Sequence, residues 1–163
     1  MTDLVVSVSG RGMRIAVVVS RYNDFVTDRL KAGALEALDA RGVAADDVTV
    51  LDVPGAFEIP MAARRAAETG RFEAVVCLGC LIRGETAHFE YIASAASHGL
   101  MAASAATGVP MTFGILTTDS AEQALARAGN GPANKGWEAA TAAVEMAALW
   151  RRLERPDDEG LQA

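Results

Sequence analysis

The amino-acid sequence predicts an α/β protein, a three-layer α/β/α sandwich around a four-stranded parallel sheet. Four short runs of apolar, largely β-branched residues recur along the chain, and each is followed by a segment with helical spacing of apolar residues. The runs are too continuously apolar for strands with one face in water, which favours parallel strands covered on both faces. Because 51% of the 163 residues are hydrophobic, the chain can form a sizeable core, and a single domain over 1–163 is expected.

The four predicted strands span 14–19, 48–53, 74–82 and 110–116. The segment 4–8 could form one more short strand, although the sequence indicates no pairing partner for it. The two ends of the chain, about 1–10 and 155–163, are expected to be flexible, and the second of them is rich in charged residues.

Glycine and proline residues indicate where the first three helices begin or end. The first helix ends near Gly42, because glycine readily takes the left-handed conformation that closes a helix. Pro60 fits an early turn of the second helix, and Gly70 marks its end. The third helix is expected over 88–106, before Gly108. On the first helix the apolar face consists of Val26, Leu30, Ala34, Ala37 and Leu38.

Two further helices follow the last strand. Ser120 and Gln123 form a Ser-x-x-Gln capping box, which predicts a short helix that ends near Gly129. A loop at 130–134 separates this helix from a final one over 135–153. Strands and helices therefore alternate as far as the fourth strand, and two helices complete the predicted domain.

The charge of the chain argues against nucleic acid as a partner. The chain carries 15 basic and 21 acidic residues, a net charge of −6, and no Lys/Arg cluster that could neutralise a run of phosphates. No apolar stretch approaches the roughly 18 residues of a membrane span. Residues 1–10 also lack the pattern of a signal peptide. We therefore expect no membrane contact and a cytoplasmic location.

Cys77 and Cys80 are the only cysteines, and a Cys-x-x-Cys pair can be a redox site or half of a metal site. Here both lie in the predicted strand 74–82, where residues three apart point to opposite faces. Redox pairs of this kind instead open a helix. Packed, reduced thiols are therefore the favoured interpretation.

Functional side chains are expected beyond the carboxyl ends of the strands, where ligands bind in open parallel α/β sheets. The four post-strand loops carry 20–23, 54–58, 83–88 and 117–119, with Phe113 late in the fourth strand. The backbone amides of 84–86 could hold a phosphate or carboxylate, or Thr86 could simply cap the third helix. His88 follows in the first turn, where the helix dipole disfavours its proton. It is either a general acid or base or an ordinary surface histidine, whereas His98 is interpreted as structural.

Four other residues are candidates for binding, and for three of them a structural interpretation stays open. Tyr22 and Phe57 could stack on a planar ring or simply pack against the sheet edge. Glu58 could face the cleft and accept hydrogen bonds from hydroxyl groups. Arg127 could bind an anion, since a guanidinium matches phosphate geometry, or it could merely favour the negative end of its helix.

Several motifs in a shared order make the chain resemble the 6,7-dimethyl-8-ribityllumazine synthases from about Arg14 to Leu149. One such motif alone would be a weak signal, but their combination is highly specific. The motifs are Arg21-Tyr-Asn23, Val53-Pro-Gly-Ala-Phe-Glu-Ile-Pro60, Leu78-Gly-Cys-Leu-Ile-Arg-Gly-Glu-Thr-Ala-His-Phe-Glu-Tyr91, Phe113-Gly-Ile-Leu-Thr-Thr118, Glu122-Gln-Ala-Leu-Ala-Arg-Ala-Gly129 and Asn134-Lys-Gly136.

The resemblance implies a transferase with a flavodoxin-like sheet. Its reaction would be the penultimate step of riboflavin biosynthesis, in which 5-amino-6-(D-ribitylamino)uracil condenses with 3,4-dihydroxy-2-butanone 4-phosphate. The products would be 6,7-dimethyl-8-ribityllumazine, inorganic phosphate and water. The resemblance implies no metal and no organic cofactor, so the expected partners are the two small-molecule substrates and other copies of the chain.

The same resemblance makes His88 the proton-transfer residue. It implies that Tyr22 stacks on the pyrimidinedione ring and that Phe113 and Arg127 come from the neighbouring subunit, because the sites of this family lie between subunits. Arg127 would complete the phosphate site, and Phe113 would close over the ring. The other implied ligands are Ala56, Phe57 and Glu58 on the ribitylamino side, Cys80, Leu81 and Ile82 from the strand end, and Glu85 and Thr86 on the phosphate side.

The chain departs from the family pattern at two places. Tyr22 stands where Phe or Trp is more common, so stacking is kept but the hydroxyl needs a partner or water. The segment 130–134 keeps the length of the turn found in members that build sixty-subunit shells, but Pro132 and Ala133 change its backbone options. A homo-oligomeric pentamer is therefore the preferred assembly. Two other functions stay open: a non-catalytic module that binds flavin or lumazine, and a structural shell protein.

Overall fold

The computed structural model describes residues 8–154, in which four parallel strands form one sheet. The strands are β1 (Ile15–Ser20), β2 (Val48–Val53), β3 (Ala74–Ile82) and β4 (Met111–Thr118). Their spatial order is β2-β1-β3-β4, the arrangement of flavodoxin-like sheets. The carboxyl ends of all four strands lie at the same edge, because every neighbouring pair is parallel. The predicted α/β fold with a flavodoxin-like sheet is confirmed.

Within residues 8–154, five α-helices and three short 3₁₀ turns lie between or after these strands. The helices are α1 (Asp24–Ala40), α2 (Ile59–Glu68), α3 (His88–Thr107), α4 (Ala121–Ala126) and α5 (Lys135–Glu154). The 3₁₀ turns span Ala45–Asp47, Ala56–Glu58 and Gly131–Ala133. Gly42 and Gly108 follow α1 and α3 with φ angles of 82° and 70°, the left-handed conformation predicted for helix-ending glycines.

The hydrophobic core consists of two clusters, one on each face of the sheet. Alternate residues of β1 belong to different clusters: Ile15 and Val17 face α1 and α5, while Ala16 and Val18 face α2 and α3. The predicted apolar face of α1 is wholly buried in the first cluster. Helices therefore cover both faces of the sheet, as the apolar strands indicated.

The edge strand β2 differs from the fully covered strand that the sequence predicted. Within β2 only Val53 is buried, and Val50 remains 37% exposed. The two central strands agree with the prediction, since every residue of β1 and the first seven of β3 are buried. The difference arises because β2 has a neighbouring strand, β1, on one side alone.

The short helix α4 ends at Ala126, earlier than the predicted end near Gly129. Only one of the two hydrogen bonds of the predicted capping box has the expected partner. Ser120 Oγ accepts a hydrogen bond from the Gln123 N–H at 3.2 Å, but Gln123 Oε1 accepts from the N–H of Asp119, one residue before the cap. Both side chains therefore accept a hydrogen bond from the backbone at the start of this helix.

Some expectations lie outside the described residues. They concern most of the short strand at 4–8 and the flexible ends at 1–7 and 155–163. Within 8–154, none of the helices combines the length and the hydropathy that spanning a membrane requires.

The two-sided core predicts a clear difference between two leucine substitutions. Leu78→Ala, in the fully buried part of β3, should lower the free energy of unfolding by about 2–5 kcal/mol because it leaves a cavity. Leu35→Ala, at a position on α1 that is 37% exposed, should cost about 1 kcal/mol or less. Urea unfolding at matched protein concentration measures both, and equal losses would contradict this description of the core.

Candidate active site

A groove of about 700 Å³ opens at the carboxyl edge of the sheet, beside the end of β3. The loops after β1, β2 and β3 and the first turns of α3 form its walls. The bordering residues are Tyr22, Asn23, Pro54, Gly55, Ala56, Phe57, Glu58, Cys80, Leu81, Ile82, Gly84, Thr86, His88, Phe89, Tyr91 and Ile92. Nine of the twelve site residues predicted from the sequence therefore border one groove, namely Tyr22, Ala56, Phe57, Glu58, Cys80, Leu81, Ile82, Thr86 and His88.

The loop after β1 presents Tyr22 to solvent on one side of the groove. The Tyr22 side chain is 72% exposed, and its backbone N–H donates to the carbonyl of Pro54 at 3.1 Å. The next residue, Asn23, has a left-handed backbone with φ 61°, which asparagine tolerates better than most residues. Its Nδ2 donates to the carbonyl of Cys80 at 2.9 Å. These two hydrogen bonds hold the backbone of the loop at Tyr22 and Asn23 against the ends of β2 and β3.

The loop after β2 forms a tight turn that points two different side chains outward. Ala56 is buried in the turn, whereas Phe57 is 60% exposed and Glu58 is exposed as well. The Glu58 N–H donates to the carbonyl of Gly55 at 3.2 Å, which closes the turn. The groove therefore combines an aromatic face with a carboxylate that can accept hydrogen bonds from hydroxyl groups.

The two cysteines have different surroundings, as expected for residues three apart on a strand. Cys77 packs in the cluster under α2 and α3, and Cys80 packs in the cluster under α1 and α5. Both are free thiols on opposite faces, so they can neither form a disulfide nor bind one ion together. Burial raises the pKa of both thiols, and that of Cys80, which borders the groove, reaches about 11.

Arg83 holds the loop that follows β3. Its Nε donates to Asp119 Oδ1 at 2.8 Å, its Nη1 pairs with the Glu90 carboxylate, and its guanidinium lies 4.5 Å from the Phe89 ring centre. The pKa of Glu90 lies below its ordinary value because its own backbone N–H, and then Arg83, donate to the carboxylate. These contacts connect the end of β4 with the first turn of α3, next to His88.

His88 is the first residue of α3 and is exposed to the groove. The helix cap is Ala87, so Thr86 is not the capping residue that one interpretation required. The Thr86 hydroxyl nevertheless accepts from the His88 N–H at 3.4 Å. Glu85 lies in the same exposed loop but does not border the groove in the described chain. His98 is distant from this turn, and its Nδ1 lies 2.8 Å from the carbonyl of Ser94.

Phe113 and Arg127 lie at a second, separate concavity of about 440 Å³ between β4 and the start of α5. Phe113 is 49% exposed, and Arg127 Nη1 donates to the carbonyl of Gln123 at 2.9 Å, at the negative end of α4. Lys135 borders the same concavity and pairs with Glu138 at 2.5 Å. One chain therefore divides the candidate site residues between two places.

Sequence reasoning missed several residues at these two concavities. Asn23 was inside a quoted motif, and its place directly after a strand was the available signal. Tyr91, 75% exposed, follows His88 by three residues and so shares its helix face. Lys135 also belongs to a quoted motif, but only the fold brings it beside Arg127.

The groove contains the parts of a binding site for a planar, hydroxylated molecule. Aromatic rings, a carboxylate, a helix N-terminus and an imidazole face one space. Within residues 8–154, no group of three or more His, Cys, Asp or Glu side chains is placed to hold a metal ion. The imidazole and the carboxylate that border the groove can transfer protons and form hydrogen bonds.

Comparison with known proteins gives one consistent result. The family model described as 6,7-dimethyl-8-ribityllumazine synthase matches residues 12–151. A 6,7-dimethyl-8-ribityllumazine synthase from Syntrophus aciditrophicus (strain SB) is 52% identical over 143 residues, 88% of this chain and 93% of the relative. One from Salinibacter ruber (strain DSM 13855 / M31) is 53% identical over 152 residues, 93% of this chain and 95% of the relative.

The raised pKa of Cys80 predicts slow and strongly pH-dependent alkylation. Burial disfavours the charged thiolate, so at pH 8 the reactive form is about a hundredfold scarcer than at an ordinary thiol. The iodoacetamide rate at Cys80 should rise by roughly tenfold per pH unit between pH 7 and 9.5. Peptide mapping by mass spectrometry measures it, with glutathione as the reference. A rate equal to that of glutathione, or a plateau above pH 8, would contradict the assignment.

Proposed function

We propose that the groove beside β3 is an active site, because the chain belongs to the 6,7-dimethyl-8-ribityllumazine synthase family. The chain is a transferase of riboflavin biosynthesis. It condenses 5-amino-6-(D-ribitylamino)uracil with 3,4-dihydroxy-2-butanone 4-phosphate and releases 6,7-dimethyl-8-ribityllumazine, phosphate and water. The presence of Glu58, His88 and Arg127 argues against a flavin-binding module without catalysis and against a structural shell protein.

The uracil substrate would bind across the exposed aromatic face of the groove. Tyr22 would stack on its ring, and the turn at 56–58 would hold the ribitylamino chain, with Glu58 accepting hydrogen bonds from its hydroxyl groups. Cys80, Leu81 and Ile82 would form the floor from the end of β3. The raised pKa of Cys80 supports this role, since a neutral thiol is an apolar lining group rather than a nucleophile.

The phosphate substrate would bind where α3 begins. The backbone amides of Glu85 and Thr86 lie before the positive end of this helix, which favours an anion. His88 follows directly and would transfer protons as the amine adds to the ketone, water leaves, phosphate leaves and the ring closes. General acid–base catalysis by His88 would raise the reaction rate by about a hundredfold or more. Holding the two substrates together would contribute a larger part of the rate enhancement.

The proposal of an oligomer rests on one observation, the separation of Phe113 and Arg127 from the groove. A single chain places these residues at another concavity, so a complete site needs Phe113 and Arg127 from a neighbouring copy. We propose a homo-oligomer with sites between subunits, and a pentamer as its form. The segment 130–134 supports a pentamer over a sixty-subunit shell. Its sequence differs at Pro132 and Ala133 from the turn of shell-forming members, and Pro132 lies in a 3₁₀ turn. The whole chain, 1–163, would form one domain in the cytoplasm.

Replacing His88 should slow the reaction without abolishing it. We expect His88→Ala to lower kcat by about a hundredfold and to leave turnover above the uncatalysed rate, because substrate positioning survives. His98→Ala is the matched control, since it removes the other histidine of α3. The rate is measured from the absorbance of the lumazine product. Equal effects of the two variants would contradict the assignment of His88.

Replacing Arg127 should weaken binding of the phosphate substrate. We expect Arg127→Ala to raise the KM for the butanone phosphate by about 10- to 100-fold, because a charged hydrogen-bond donor to the phosphate is lost. The KM for the uracil substrate should change by about twofold or less. Arg65→Ala, at a side chain that is 82% exposed, serves as the control. An unchanged KM for the phosphate substrate would contradict the proposed role of Arg127.

A further inference from the structure

Asn134 is one of the few buried polar side chains of the described chain. It is 2% exposed and stands directly before α5, in the motif Asn134-Lys-Gly136. Its side chain does not border either concavity of the candidate site. Any effect of Asn134 on the candidate site must therefore be transmitted through other residues.

The Asn134 amide uses all of its hydrogen-bonding capacity. Its Nδ2 donates to two carbonyl groups, that of Arg29 on α1 at 3.0 Å and that of Gly129 in the loop after α4 at 2.7 Å. Its Oδ1 accepts from the N–H groups of Gly136 at 2.7 Å and Trp137 at 3.3 Å. Two donors and two accepted bonds are the complete set that an amide offers, so no other standard side chain of this size satisfies all four.

Two glycines make room for this amide and for the close approach of its helix. A Cβ atom on Gly33 of α1 would lie 2.5 Å from Asn134 Cγ. A Cβ atom on Gly136 would overlap the carbonyl oxygen of Leu30 on α1. Even a methyl group at either position would displace the amide or separate α1 from α5. The glycine of the Asn-Lys-Gly motif is therefore required by packing.

The hydrogen bonds of Asn134 hold the loop that carries two cationic side chains. Gly129, which Asn134 anchors, comes two residues after Arg127, and Lys135 comes directly after Asn134. The Lys135 N–H donates to the carbonyl of Arg127 at 2.8 Å, so the two backbones meet. As a result Arg127 and Lys135 border the same concavity.

We propose that Asn134 is a positioning residue that sets the place of Arg127 for the phosphate substrate. The inference rests on the proposed function of Arg127. A simple helix cap would need only the acceptor Oδ1, which Ser or Asp also supplies. The two Nδ2 bonds instead point away from α5, to α1 and to the loop 127–134. These donor bonds separate a positioning role from a capping role.

The substitution Asn134→Ser keeps a capping oxygen and removes both donor bonds. We expect it to raise the KM for the butanone phosphate by about five- to tenfold, with kcat and the KM for the uracil substrate within about twofold of wild type. In an Arg127→Ala background it should add less than about twofold, because the residue that it positions is then absent. Independent, multiplying effects, or equal effects on both substrates, would show a structural role only and overturn the proposal.

A second variant reaches the same amide from α1 and covers the case in which Asn134→Ser does not fold. Gly33→Ala leaves Asn134 in place but forces its amide to move, so it should raise the same KM. The control is Trp150→Phe, which removes the indole hydrogen bond to the Gly108 carbonyl, about 24 Å along α5 from Asn134. That variant should lose stability and keep both KM values. If Gly33→Ala changed neither KM, the proposal would be overturned.

The two assignments fail in distinguishable ways. If Arg127→Ala alone left the KM for the phosphate substrate unchanged, the phosphate role of Arg127 would be wrong, and with it the positioning role of Asn134. If Arg127→Ala raised that KM but Asn134→Ser and Gly33→Ala did not, only the inference about Asn134 would be wrong.

Discussion

The central place of β3, between β1 and β4, determines where every candidate site residue lies. Because β3 is parallel to both neighbours, the loops that follow β1, β3 and β4 must gather at one edge of the sheet. The groove forms on the side of β1 and β2. The concavity of Phe113 and Arg127 forms beyond it, where β4 meets α5. The same topology therefore places the candidate residues at two separate concavities, which is why the proposed site needs two copies of the chain.

The exposed aromatic residues around the groove agree with the proposed contact between copies of the chain. Tyr22, Phe57 and Tyr91 are each at least 60% exposed in the single chain. Large apolar side chains clustered at a surface usually mark a ligand site or a contact with another protein. A neighbouring copy that supplies Phe113 and Arg127 would cover such a surface. The same contact would shield the reacting groups from water, which strengthens the hydrogen bonds on which the proposed chemistry depends.

Much of the fold was predictable because local patterns and the tertiary structure agree. The apolar runs became strands, and the glycines after α1 and α3 took the left-handed conformation. Most of the groove was predictable too, since strand ends carry the motifs. The exposure of β2 was not, because a sequence pattern does not reveal which strand lies at the edge. The role of Asn134 was not predictable either, since its partner Arg29 is 105 residues away and only packing brings them together.

The central claim is that His88 and Arg127 of different copies form one active site. The direct measurement is the lumazine synthase activity of His88→Ala and Arg127→Ala chains that are unfolded, mixed in equal amounts and refolded together. The butanone phosphate is kept far below its KM, so that both single variants are nearly inactive. With random mixing, about one adjacent pair in four combines an intact His88 with an intact Arg127, so about a quarter of wild-type activity should return. Activity that never exceeds the mean of the two variants refolded alone would contradict the account, because both residues would then act within one chain.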